Sequence, residues 1–528
     1  MKSIKYILVA ALSLGLFSCS DDWMTTAPEG DTKTADQKAD AGQKNPESAA
    51  ADINAMYAQM ITLYAGLGDL GYSRHNDFGY ASICILTEAC GQDFTGFNIG
   101  YNWFSNVQYP NNRDNTLTTT DGLTAHLVWN TYYKIIKAAN DVIALIDEND
   151  PGQQEAALCQ ALCVRAFCYT QLAQLYQETY VDAKDKPCVP IVKDNMPAEQ
   201  QLKNPRATVK EVYDLIEHDL NYACNSVAFK DFVRNDKGFC DQAVAFGLRA
   251  RVNLIKQNYA EAASDARQCL ALSGATPLSI AECGIPGFAN ANAHNVIWAN
   301  IVTENNDITQ TGICNWASHM SSFYQDGYVG VGSYHGLSSA VYDQIPETDV
   351  RKGWWLNQDL ESPLLHVGGY AAAKDALQSD PSFAYIVTKF GTKDGTIGGT
   401  GAAACDWMLM RAEEMYLIIA EADNSSAELE AFVREFRDPA YTCSGNVIDA
   451  VWFQRRIELW GEGFAFNDLL RLKKSLIRTT SSNWPDAWSQ DIEVGTPQWK
   501  ALLWRIPQAE IEANQGISEA DNNPYVTL

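Results

Sequence analysis

The chain has 528 residues, 46% of them hydrophobic, enough to bury a large core and, by length, to form more than one domain. Its formal charge of −26 argues against nucleic acid and anionic membrane surfaces as partners, and disfavours strongly anionic glycans. The 14 cysteines are scattered with no CxxC pair and no Cys/His cluster at zinc spacing, so most read as small buried thiols, and neither a metal nor a cofactor is expected.

In chain order, Lys2 and Lys5 precede the apolar run Ile7 to Phe17, which is too short for a membrane span. Residues 1–18 therefore read as a secretion leader. Leu16-Phe17-Ser18-Cys19 has the form of a lipobox, which makes Cys19 the expected lipid-bearing residue. From there to residue 46 the chain is rich in Asp, Thr, Lys and Pro, and reads as a flexible tether. A helical pattern runs from Pro46 to about Leu63. Residues 66–121 are rich in glycine and aromatics and show little periodicity.

Apolar spacing then predicts helices over Ala125–Asp147, Gln153–Tyr176, Thr208–Ala223, Asp241–Gln257 and Tyr259–Leu272. Thr208 with Glu211 three residues on forms a capping box. Ala250, Leu254, Tyr259, Ala262, Cys269 and Leu270 fall at the offsets of a tetratricopeptide repeat, whose small residues let two helices approach closely. Residues 273–404 break the pattern, with β-type runs at Asn295–Val302 and Phe383–Lys389; Trp298 in the first reads as core. Helix is expected again at Asp406–Ala422 and Ala427–Arg437.

Asp449 to Lys474, DAVWFQRRIELWGEGFAFNDLLRLKK, sets charges at helical spacing inside an apolar run. Arg455 and Glu458 are three apart, as are Asp468 and Arg471, while Glu458 and Glu462 are four apart. Gly461 and Gly463 suggest a helix, a turn and a second helix. Two carboxylates one turn apart on one element do not flank a substrate as glycoside hydrolysis requires. The stretch reads as an ion-pair network fixing the angle between two helices.

The same residues carry a resemblance. Arg455, Arg456, Glu458, Leu459, Glu462, Gly463, Asp468, Leu469 and Arg471 match the C-terminal signature of the SusD/RagB family of outer-membrane nutrient-binding lipoproteins. The match departs at Gln454, where an acidic residue is common, and at Ala465, where an arginine is. RAFCYTQLAQLY from Arg165, LMRAEEMYLIIAEA from Leu409, and IPQAEIEANQG with NNPY from Ile506 look like further family segments in the same order. The resemblance implies a mainly α fold over residues 47–528. In it, tetratricopeptide-like helical pairs carry an irregular, loop-rich, short-strand ligand face built from insertions at about 66–121 and 273–404. It also implies export to the outer face of the cell, with Ser20-Asp21-Asp22 resembling the family's export signal. The implied partner is a SusC-like TonB-dependent β-barrel that receives captured oligosaccharide; the RagB branch implies peptide instead.

No GxSxG elbow, HExxH or P-loop is present, and no carboxylate pair stands out, so binding is expected rather than catalysis. A sugar ring offers an apolar C–H face to an aromatic side chain and a rim of hydroxyls to polar ones. Two loop clusters supply this mixture. Cys90 to Tyr109 holds Phe97, Tyr101 and Trp103 among Asp93 and Asn98, and Asn315 to Gly336 holds Trp316, Tyr324 and Tyr328. Trp103, Trp316 and Tyr324 are the leading stacking candidates, and Asp93 and Asn98 the hydroxyl-binding ones. Each aromatic alternatively packs its loop against the helices, but binding residues concentrate on loops held by rigid scaffolds.

Overall fold

Helix pairing organises the chain, as seen in a computed structural model that describes residues 46–96, 101–108 and 122–526. The longer elements are α1 (Pro46–Ala58), α2 (Tyr80–Cys90), β1 (Phe94–Gly96), α3 (Leu123–Ile143), α4 (Glu155–Tyr176), α5 (Val209–Asn225), α6 (Gln242–Ile255) and α7 (Tyr259–Ser273). They are followed by β2 (Val296–Asn300), β3 (His335–Leu337), β4 (Trp407–Arg411), α8 (Ala412–Ala422), α9 (Ser426–Phe436), α10 (Val447–Glu458) and α11 (Ala465–Arg471). The chain is mainly α, as expected. Helices α3, α4, α5, α6 and α7 pack successively on one another, and α7 packs on α8.

The local chemistry explains the ends. Thr208 Oγ1 accepts the Glu211 N–H at 3.2 Å and the Glu211 carboxylate accepts the Thr208 N–H at 2.7 Å, so the expected capping box starts α5. Gly274, at φ 64°, ends α7 in the left-handed region that favours glycine. Gly247 on α6 lies so close to β4 and α7 that an added Cβ would sit 2.3 Å from Met410 Sδ and 3.0 Å from Cys269 Sγ. The small residues thus allow close approach.

Two elements differ from expectation. Helix α2 falls inside the stretch that shows no periodicity, because every one of its residues is buried; with no solvent face there is no polar stripe to read. Residues 407–411, expected to begin a helix, form β4, which pairs antiparallel with β2 from Val296↔Arg411 to Asn300↔Trp407. Both strands are buried throughout, so their apolar run gives no alternation. The run at 383–389 makes only isolated bridges, Ile386 to Gly336 and Val387 to Trp355. The second sheet is the antiparallel pair β1–β3, Phe94↔Leu337 to Gly96↔His335.

The 449–474 stretch forms the expected ion-pair network, with different partners. Helix α10 ends at Glu458, and Gly461 at φ 80° turns the chain, so Glu458 and Glu462 do not share a helix face. Both converge instead on Arg411 of β4, whose Nη1 reaches Glu458 at 2.8 Å and whose Nε reaches Glu462 at 2.8 Å. Glu458 also accepts from Arg437 Nε at 2.7 Å and Arg351 Nη1 at 3.2 Å, while Lys389 Nζ reaches Glu462 at 2.6 Å. Arg455 pairs with Asp468 at 2.6 Å rather than with Glu458, and Asp468 also accepts from Arg471 at 2.8 Å. Burial opposes ionisation of Glu458, but the guanidiniums of Arg437, Arg411 and Arg351 overcome it and hold its pKa well below the usual carboxylate range. Gln454, in place of an acidic residue, accepts a hydrogen bond from Arg351.

The cysteines behave as read: of those described, all are free thiols and all but the partly exposed Cys443 are buried.

Candidate functional site

The loop between α1 and α2 is drawn inward by Asp77, whose carboxylate accepts the Gly66 N–H at 3.1 Å and the Leu67 N–H at 2.8 Å. Burial pushes the Asp77 pKa up to about 6, against the pull of those two donors. Beyond the bend, Arg74 and His75 emerge half-buried beside residues 101–108.

Trp103 is held from behind. Asn76 Nδ2 donates to the Trp103 carbonyl at 3.1 Å. Asn102 Oδ1 accepts the Phe104 N–H at 3.1 Å, its Nδ2 donates to Gln108 Oε1 at 3.0 Å, and Gln108 Nε2 donates to the Phe94 carbonyl of β1 at 3.1 Å. The backbone on both sides of Trp103 is thereby tied to the β1–β3 sheet and to the α1–α2 loop. Its indole remains half-buried, 4.9 Å from the His75 ring and 6.2 Å, edge-on, from Tyr328.

Tyr328 links the two loop clusters. Its ring stacks on His319 at 4.8 Å, and its hydroxyl hydrogen-bonds His75 Nδ1. Tyr101 stands 6.3 Å from Tyr328 and is 55% exposed, the most accessible ring of the group. The Arg74 guanidinium lies 5.8 Å from the Trp103 ring centre, within cation–π range. A small notch of about 30 Å³ opens beside the indole, bordered by Arg74, Asn76, Asn106 and Thr124. The arrangement offers an aromatic face, a phenol hydroxyl and a guanidinium rim, which suits a flat, hydroxylated ligand.

The structure brings Tyr101, Trp103 and Tyr328 together and separates the other described candidates from them. Asp93 is 2% exposed, and its carboxylate is held by Arg456 at 2.6 and 2.8 Å, so it braces α10 against β1 instead of facing solvent. Trp316 is 4% exposed, wedged 4.9 Å from Phe390 and 5.2 Å from Trp407. Tyr324 is buried, with its hydroxyl donating to the Gly312 carbonyl at 3.2 Å. These three expectations are corrected: in a glycine-rich segment a large aromatic also serves as the filler that packs the loop on the core. Trp354 and Trp355 are buried, as is Trp298. Phe97, Asn98 and Cys19 lie outside the described residues.

Sequence reasoning missed Arg74 and His75. The available signal was Gly68, Gly71 and Tyr72 just before them, the same Gly/aromatic mixture that singled out the later loops. Among the described residues no group of His, Cys, Asp or Glu is arranged to hold a metal ion, and no helix is long and apolar enough to cross a membrane.

Comparison with known proteins bears on this geometry. Residues 43–254 match a family model described as starch-binding associating with outer membrane, and residues 361–525 match the SusD family model. A SusD-like protein of Bacteroides ovatus is 22% identical over 264 residues, 49% of this chain. That match spans 40% of the relative, so the chain covers about two-fifths of the curated protein it resembles. A SusD-like carbohydrate binding protein from Bacteroides vulgatus superposes with a TM-score of 0.67 at 21% identity, covering 90% of this chain and 97% of that one. Surface glycan-binding protein A from Bacteroides fluxus superposes with a TM-score of 0.63 at 15% identity, covering 91% and 100%. These likenesses are of fold.

Proposed function

We propose that this chain, which belongs to the SusD/RagB family, captures oligosaccharide non-covalently on the face formed by Tyr101 and Trp103, backed by the buried Tyr328, and passes it to a SusC-like TonB-dependent β-barrel. The observation that carries the reading is the half-buried Trp103 indole, braced through its backbone and bordered by His75 and Arg74. A preorganised ring loses little freedom when a sugar settles on it. In this reading lipid on Cys19 anchors the protein at the outer face of the cell, and the tether to residue 46 lets the body move over the barrel.

Calorimetric titration of the purified protein with neutral plant glucans, starch oligosaccharides, host-mucin oligosaccharides and a peptide mixture tests this. Saturable binding of one glycan, weakened at least about tenfold (1.4 kcal/mol) in Trp103→Ala and in Tyr101→Ala, is expected. Tyr101 is exposed, so its variant separates lost contact from lost folding. Binding of peptides alone would move the reading to the RagB type, and sugar released in the titration would overturn capture without hydrolysis.

A further inference from the structure

A cleft opens where the end of α4 meets α11 and the 3₁₀ turn Pro497–Leu502, and shares no residue with the notch beside Trp103. A second, smaller chamber lies beside it, and Gln174, Ile255, Asn467 and Arg471 line both. The outer chamber has a volume of about 230 Å³ and the inner about 50 Å³.

The chambers differ in chemistry. The outer is walled mainly by apolar surface, including the half-buried rings of Trp499 and Tyr180. The inner is lined by Arg455 and Asn467, and Arg455 Nη1 and Asn467 Oδ1 are buried atoms with no hydrogen-bond partner. One is a donor and the other an acceptor, and each is destabilising while it stays buried and unmet.

The charges around the cleft are already neutralised. Arg251 holds Glu414, Arg471 holds Glu421, Arg455 holds Asp468, Arg411 and Lys389 hold Glu462, and Lys473 holds Asp182. An ionic ligand would therefore find no unpaired counter-charge among them. A purely apolar ligand would leave Arg455 Nη1 and Asn467 Oδ1 unsatisfied.

We propose that this cleft is a second binding site, taking a single neutral hydroxylated ring. Its apolar face lies along Trp499 in the outer chamber, and one hydroxyl enters the inner chamber to accept from Arg455 Nη1 and donate to Asn467 Oδ1. The outer chamber, at about 230 Å³, has room for one ring. The site stands apart from the Trp103 face, so either can fail without the other.

Saturation-transfer NMR of the purified protein with methyl glucoside, methyl galactoside and methyl N-acetylglucosaminide tests the assignment. At least one glycoside is expected to receive transfer at its ring protons. That signal should persist in Trp103→Ala and weaken at least about tenfold in apparent affinity in Trp499→Ala. Gln174→Ala, at a half-buried residue lining both chambers, reads the same contact should Trp499→Ala not fold. No transfer from any glycoside, or transfer indifferent to Trp499→Ala and Gln174→Ala, would leave the cleft to water and overturn the proposal.

Discussion

Glu458 illustrates how one side chain can hold several elements. Its two oxygens accept from Arg351, Arg411 and Arg437, which come from the 3₁₀ helix Val350–Trp354, from β4 and from the end of α9, and it is itself the last residue of α10. A buried ion pair adds little over a well-packed apolar substitute, but removing one partner strands the other charges. Glu458→Ala is therefore expected to lower unfolding free energy by about 3–5 kcal/mol, measured by urea denaturation, without altering glycan titration if the protein is kept folded. The spacing announced a network at this residue. It could not announce the partners, because Arg351, Arg411 and Arg437 approach from distant parts of the chain. Ala465, where the family commonly has an arginine, makes its contact through the backbone. Its backbone N–H, with those of Gly463 and Phe464, faces the buried carboxylate of Glu88 on α2.

At the scale of elements, backbone approach decides more than propensity. The β1–β3 pair lies against residues 385–386, and a Cβ at Gly336 would fall 2.5 Å from the Tyr385 carbonyl oxygen. Backbone cannot move aside as a side-chain tip can. Gly336→Ala should displace β3 from that segment and cost about 1–3 kcal/mol, seen as a lowered thermal midpoint. Because β1 receives the Gln108 bond that steadies the Trp103 turn, the same variant should also weaken glycan binding. Helices α3, α5 and α7 and the capping box at Thr208 were legible from exposed positions that leave a pattern, while α4 and α6, which have no exposed residue, were legible by the length of their helical runs. Helix α2 and strand β4 were not, since total burial erases periodicity, whereas β2 falls inside the β-type run read at Asn295–Val302.

Over the whole molecule, buried titratable groups oppose one another. Burial lowers the pKa of His319 and His335 to about 3, so the folded state refuses protons that the unfolded chain takes up below about 6.5. That stability is full above pH 6.5 and is lost as pH falls, by about 2 kcal/mol per histidine at pH 5. Glu88 and Asp77 act in the other direction. Burial raises them to about 7 and about 6, so the folded state binds protons the unfolded chain has released, and acidification from pH 7 to 5 favours folding by about 2 and about 1.4 kcal/mol. The two pairs nearly cancel. Urea midpoints at pH 7 and pH 5 are therefore expected to be similar in the native chain. Glu88→Gln should become less stable on acidification and His335→Leu more stable, each relative to its own value at pH 7.

The sequence by itself determined the mainly α fold, the family, the buried thiols and the existence of a charged network. These follow from periodicity, composition and short-range spacing, which survive in one dimension. The tertiary structure decided which aromatics share a surface. Trp103 and Trp316 both stand in glycine-rich segments, yet one is braced at its backbone and half-buried and the other is wedged between Phe390 and Trp407. Exposure depends on what packs behind a residue from elsewhere in the chain, and no local pattern records that.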